Sequence, residues 1–222
     1  MSTEKLVRLS GLAAVLCGLA TVIFWLIHPL AADPKAPHDA AFFEALQGAR
    51  FPAVFLLFVA LLLLSLVALV GYYCRLHRVG GLVGLCGFLL SLGGTAMFIA
   101  SGVFQCGVAP ALAGSTATRG LLAPDGPLLG GLLGMLFAGT GMGFALGYLL
   151  LGLAILRTQV LPRGAAVLLM LGAPVLGLSP LMPLWARLLG CAFWGAGNVW
   201  LGYAQLTGSR PELPSSLSLS RV

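Results

Sequence analysis

The sequence predicts an all-α integral membrane protein, a bundle of six transmembrane helices. Three observations carry that expectation. Hydrophobic residues make up 59% of the 222 and charged residues 8%, with a mean hydropathy of +1.05, whereas soluble domains carry about 25% charged residues. The apolar residues gather into six runs joined by short polar connectors. The basic residues are shared unequally between alternate connectors. No polar segment is long enough to fold alone, so one membrane domain over residues 1–206 and a flexible cytoplasmic tail over 207–222 are expected. The net charge of +6 sits in loops and forms no patch. The lipid bilayer, and not nucleic acid, is therefore the expected partner.

A short basic lead with Lys5 and Arg8 precedes the first span, 11–30. A basic lead before an apolar run also describes a cleaved signal peptide. The run is long and HPLAAD offers no good A-x-A site, which favours a retained helix. Residues 31–50 form a polar loop in which Asp39 can cap a short helix carrying Phe42, Phe43 and Leu46 on one side, lying flat at the interface. Pro34 and Pro37 mark the turn before it.

Span two, 51–73, starts with Pro52 in its first turn, where proline is tolerated. It ends on Tyr72 and Tyr73, placed at headgroup level. The connector of Cys74, Arg75, Leu76, His77 and Arg78 is short enough to force an antiparallel hairpin. Residues 79–108 are too long for one straight crossing. They are expected to tilt, kink at Gly93 and Gly94, or end as irregular backbone near Gln105. A loop over 109–126 leads to span four, 128–156. Span five, 164–178, carries Pro174 as a kink site, and span six is 184–206.

Six spans place both termini on one side. With the N-terminus inside, the inner segments hold Lys5, Arg8, Arg75, Arg78, Arg157, Arg163, Arg210 and Arg221, and the outer ones hold Lys35, Arg50, Arg119 and Arg187. Eight against four favours both termini in the cytoplasm.

Span four carries no charge and holds eight glycines: Gly130, Gly131, Gly134, Gly139, Gly141, Gly143, Gly147 and Gly152. A glycine inside a helix costs about 1 kcal/mol relative to alanine in water. In lipid it lets backbones approach, so Gly139, Gly143 and Gly147, with Gly130 and Gly134, are expected to pack helices together. The Gly139-Thr140-Gly141-Met142-Gly143 run is not a dinucleotide loop, since that motif needs a strand before it and a helix after it. A parallel internal repeat can be drawn by laying Arg78 on Arg163 and Gly87 on Gly172.

Span six is chemically the richest. Arg187, Cys191, Trp194, Asn198, Leu201 and Gln205 recur at steps of three and four, so they share one face. Asparagine is costly to expose to lipid, which turns that face into the bundle. Arg187 and Asn198 then either line a ligand or ion path, or Asn198 bonds a neighbouring helix while Arg187 snorkels outward. Gln105 and Thr140 are the other intramembrane polar groups available to Asn198. The Gly139–Gly147 ladder is expected to meet this polar face.

His28 closes span one. His38, Asp33, Asp39 and Glu44 lie close in sequence but match no metal spacing, and His77 reads as interfacial. Cys17, Cys74, Cys86, Cys106 and Cys191 form no metal motif and behave as small hydrophobes, although Cys106 and Cys191 share a side and can be joined in a disulfide. No acidic residue lies in a span, which argues against a carboxylate proton relay, and no nucleophile–base pair is visible. Neither catalytic residues nor a cofactor are expected.

The segment GYLLLGLAILRTQVLPRGAAVLLMLGAP resembles a hairpin of bacterial polytopic membrane proteins of uncharacterised function, in which a glycine-rich span, a basic connector ending Leu-Pro-Arg and a further apolar span recur. The resemblance covers about 30 residues. It implies a bacterial inner-membrane protein and assigns no functional residue. Three functions remain open: binding or passing a small or lipidic ligand within the bundle, packing as a subunit against another membrane protein or itself, and modifying lipid.

Overall fold

The structure, a computed structural model, describes residues 3–28, 39–123 and 126–208. The proline turn at Pro34 and Pro37 and nearly all of the tail expected over 207–222 lie outside them. Among the described residues every regular element is helical: α1 (Thr3–Ile27), α2 (Ala40–Gln47), α3 (Arg50–Leu76), α4 (Gly81–Val103), α5 (Ala109–Ala113), α6 (Thr116–Arg119), α7 (Leu132–Thr158), α8 (Arg163–Gly177) and α9 (Leu184–Thr207). Four of them, α1, α3, α4 with its extension to Ala113, and α7, are long and apolar enough to cross a membrane.

The six long helices close into a ring. In turn, α1 packs on α3, α3 on α4, α4 on α7, α7 on α8, α8 on α9, and α9 back on α1. Glycine makes several of these seams tight. Between α1 and α9, Gly11 faces the Gly202 carbonyl and Gly18 the Gly195 carbonyl, each where a Cβ would collide. Between α4 and α7, Gly87 lies on the Leu151 backbone, Gly94 on that of Phe144, and Gly147 on that of Ser91. Backbones this close gain dispersion contacts that bulky side chains would prevent, which is how helices associate without a hydrophobic drive.

The long third span resolves its length through a single π-helical turn, Phe104–Val108, which follows α4 and runs into α5. Gln105 lies within it, while Gly93 and Gly94 stay in unbroken helix. The expected loop over 109–126 is instead largely helical, as α5, α6 and a 3₁₀ turn at Gly120–Leu122. Pro110 starts α5 and Ser115 caps α6 by accepting from Ala117 N, so the local chemistry was there in a stretch dominated by small residues.

Asp39 does cap α2, its Oδ1 accepting from Phe42 N at 2.9 Å. Gln47 Nε2 then donates to the Ala113 carbonyl at 3.0 Å, and Leu46, Phe51, Phe55, Ala109, Ala113 and Leu122 form a second small core. Helices α2, α5 and α6 thus roof one end of the ring. The other end holds the start of α1, the α3–α4 turn and the end of α9, brought together around one cavity.

Candidate functional site

The face of α9 is the backbone of the site. Arg187, Cys191, Trp194, Asn198, Leu201 and Gln205 are all buried, while Leu184, Trp185, Leu189, Phe193, Trp200 and Tyr203 point outward. The inward groups are treated in very different ways.

Both polar atoms of the Asn198 amide have a partner. Tyr72 donates its hydroxyl to Asn198 Oδ1 at 2.8 Å, and Asn198 Nδ2 donates to the Trp194 carbonyl at 2.9 Å. The expected partners are elsewhere: Thr140 Oγ1 donates to Leu136 O at 2.8 Å, and Gln105 is half-buried in its π-helical turn. Tyr72 was expected at the headgroups but has 0% exposure. It belongs to the inward stripe of Ser65, Leu69, Tyr72 and Leu76 on α3. Beside it, Ser65 Oγ and Tyr148 OH share a hydrogen bond of 2.8 Å. These two pairs tie α3 to α9 and α3 to α7 across the middle of the ring.

Arg187 neither lines an open path nor snorkels. It is 4% exposed, and its Nε donates to the Met182 carbonyl at 2.8 Å, bracing the α8–α9 turn. His28 sits among the rings of Phe24, Trp25 and Phe55, with centroids 4.9, 4.9 and 5.7 Å away. Cys106 and Cys191 are free thiols, as are Cys17, Cys74 and Cys86. Cys106 points its Sγ at the Val103 carbonyl and Cys191 at the Thr21 carbonyl, so no pairing brings them together.

The glycines of span four do not act as one ladder. Gly130 precedes α7, which begins at Leu132. Gly134 abuts the backbone of Leu129, a residue of its own segment. Gly139 is exposed with nothing within 4 Å, Gly143 barely reaches Gly94, and Gly147 is buried on Ser91 of α4. None of them meets Asn198: α8 packs between α7 and α9, with Gly141 against Gly177 and Gly172 against Trp194. At 3.6 residues per turn the six glycines inside α7 spread around the helix, and each seam takes its own. What α7 presents to α9 is aromatic instead, Phe144 and Tyr148 at 5.9 and 5.7 Å from the Trp194 ring.

Those rings belong to a cavity of about 60 Å³ in the roofed half. Phe24, Phe58, Phe98, Phe144 and Trp194 line it, with Thr21 and Ser179 as its polar edges. Phe24 and Phe58 stack at 4.8 Å and Phe98 meets Phe144 edge-on at 5.2 Å. The Trp194 indole N–H is buried without a hydrogen-bond partner. A buried donor left unmade costs about 1–3 kcal/mol, so Trp194, one wall of this chamber, carries an unmet polar group. Among the described residues no three His, Cys, Asp or Glu side chains gather as metal ligands would.

No protein-family model, curated protein or solved structure matches this chain.

Proposed function

We propose that the chain is a six-span integral protein of a bacterial inner membrane, with both termini in the cytoplasm, that binds a small apolar or lipidic ligand carrying one hydrogen-bond acceptor. The aromatic cavity beside the unpartnered Trp194 N–H carries the reading. A wholly apolar void would stay dry and take an apolar guest. A void walled by an unmet donor favours a guest whose acceptor meets it.

Six spans are supported by how α8 and α9 fit lipid. The strongly polar groups that lower the hydropathy of α9, Arg187, Asn198 and Gln205, face inward, and its outer face is mainly Leu, Trp, Phe and Tyr. Helix α8 has 15 residues, a rise of roughly 22 Å against a hydrocarbon core of about 30 Å. The Ser179–Leu181 turn extends it. Irregular backbone at that depth must satisfy its own polar groups, and here Leu178, Leu181 and Met182 donate within the turn while Arg187 takes the Met182 carbonyl. The shared end of Arg8, Arg75 and Arg78 is cytoplasmic on the basic-residue count. Helix α2 lies at the opposite surface.

The subunit alternative has less to stand on, because only Gly139 of its proposed ladder is left open. The size of the chamber restricts the ligand. It is smaller than the ~150 Å³ cavity that holds benzene, so the guest is a small ring or the end of a chain. The test compares cyclopentanone with cyclopentane as stabilisers of the purified full chain, measured by thermal unfolding. Stabilisation by the ketone beyond the hydrocarbon is expected, with the difference erased in Trp194→Phe. Stabilisation by neither, or a ketone preference that survives the substitution, would sink the reading.

A further inference from the structure

A second and larger cavity, of about 550 Å³, opens at the end of the ring opposite the roof. Its lining includes Arg8, Arg75, His77 and Arg78, with Glu4 and Gln205. Three guanidinium groups face one carboxylate, and Glu4 is already engaged by Arg8 at 3.0 Å. Such a basic rim could be nothing more than the anchoring arginines of a membrane protein. Three further observations say otherwise.

The floor of the cavity is Gln205, 1% exposed. Both the Nε2 and the Oε1 of its amide lack a hydrogen-bond partner. An anchoring surface has no use for a buried amide with two unmet groups, each of which costs about 1–3 kcal/mol. The packing also leaves the side chain its place: a Cβ at Gly71 would stand 2.9 Å from Oε1, and one at Gly11 would stand 3.0 Å from the Gln205 Cβ. Finally, Arg75 Nε is buried and without a partner, so part of the positive charge is sunk below the rim of exposed Arg8 and Arg78.

We infer that this vestibule binds a phosphate ester, its anionic group held by Arg75 with Arg8 or Arg78 and its neutral hydroxylated part received by the Gln205 amide. Arginine presents a planar fork matched to phosphate oxygens. An amide offers a donor and an acceptor at once, which suits a hydroxyl that does both. The volume is in the range of sites for small organic ligands and exceeds what a bare inorganic anion fills. Phosphate with a glycerol-like group occurs in two places: the headgroup of an anionic phospholipid and a free sugar or polyol phosphate.

The experiment uses the full chain in nanodiscs of phosphatidylcholine and reads thermal unfolding. One arm adds glycerol 3-phosphate, with sodium sulfate at equal ionic strength as the control. The other replaces a fraction of the phosphatidylcholine by phosphatidylglycerol. A response to glycerol 3-phosphate beyond sulfate identifies a soluble ester, and a response only to phosphatidylglycerol identifies a headgroup. In either case Arg75→Gln, which loses a charge-assisted hydrogen bond, and, separately, Gln205→Leu, which loses the neutral donor and acceptor of the amide, should each weaken the apparent affinity at least about tenfold. Lys5→Gln, at a residue outside the cavity lining, should change it little. If Gln205→Leu does not fold, Gln205→Met, which keeps the length of the side chain and removes both polar atoms, serves in its place. The inference fails if neither arm stabilises the protein, or if the response falls as much in Lys5→Gln as in Arg75→Gln.

Discussion

The two ends of the ring solve opposite problems with the same face of one helix. At the roofed end Trp194 looks into an aromatic chamber, and at the open end Gln205 floors a basic vestibule. Asn198 stands between them, one turn from Trp194 and two from Gln205, and of the three it alone has a partner at each polar side-chain atom. The difference separates polar groups that hold the bundle from polar groups that await something. A buried amide bonded to a neighbouring helix is a fastening, whereas one with both atoms unmet is a demand on a ligand. The residue best placed by sequence to be a site, Asn198, therefore ties helices together, and the proposed binding chemistry falls to its neighbours at either end.

The strongest way to break this arrangement is to part a glycine seam at one end. Gly94 lies on the backbone of Phe144, a wall of the chamber, whereas Gly93 beside it faces open space. Gly94→Leu should cost about 3 kcal/mol or more, since overpacking against backbone has little room to relax, and should abolish the ketone response. Gly93→Leu should be neutral or slightly stabilising, because leucine favours helix over glycine. Equilibrium unfolding of the pair checks this, and similar losses in both would mean that the α4–α7 seam is not as close as described.

The next effect sharpens the difference between a fastening and a demand. Asn198→Leu strands the Tyr72 hydroxyl and Tyr72→Phe strands Asn198 Oδ1, so each should cost about 1–3 kcal/mol. Removing both partners should cost less than the sum of the two, because no stranded group remains. Gln205→Leu removes a group that is already unmet, so in the absence of ligand it should be neutral or stabilising. A destabilisation by Gln205→Leu equal to that of Asn198→Leu would erase the distinction.

The sequence disclosed the inward face of α9 because polar residues at steps of three and four are conspicuous in an apolar span. The stripe on α3 stayed hidden for the converse reason. Ser65, Leu69, Tyr72 and Leu76 face inward while Leu56, Leu63 and Val67 face outward, and in a helix apolar all round no period tells the two apart. Tyr72 at the end of its run consequently reads as an interfacial anchor. The partnering of α7 was unreadable on similar grounds, since eight glycines mark closeness without naming a neighbour. The all-helical class and the Asp39 cap were legible from local chemistry alone. The vestibule was half legible: Arg8, Arg75, His77 and Arg78 stood out as one inner-side group, but nothing in the sequence placed Gln205 beneath them.

The smallest effect concerns whether the two ends speak to each other. Trp194 and Gln205 are eleven residues apart on one helix, roughly 16 Å along its axis, with the Tyr72–Asn198 and Ser65–Tyr148 pairs between them. Independent sites at that separation should show energies that add within about 0.5 kcal/mol. Trp194→Phe should then leave the response to glycerol 3-phosphate or phosphatidylglycerol unaltered, and Gln205→Leu should leave the cyclopentanone response unaltered. The sharper measurement titrates one probe at saturation of the other. A shift of more than about threefold in either apparent affinity would mean that Asn198 transmits between the ends. The same shift should then vanish in Tyr72→Phe, because that variant cuts the one bond by which α3 feels a displacement of α9 at this level.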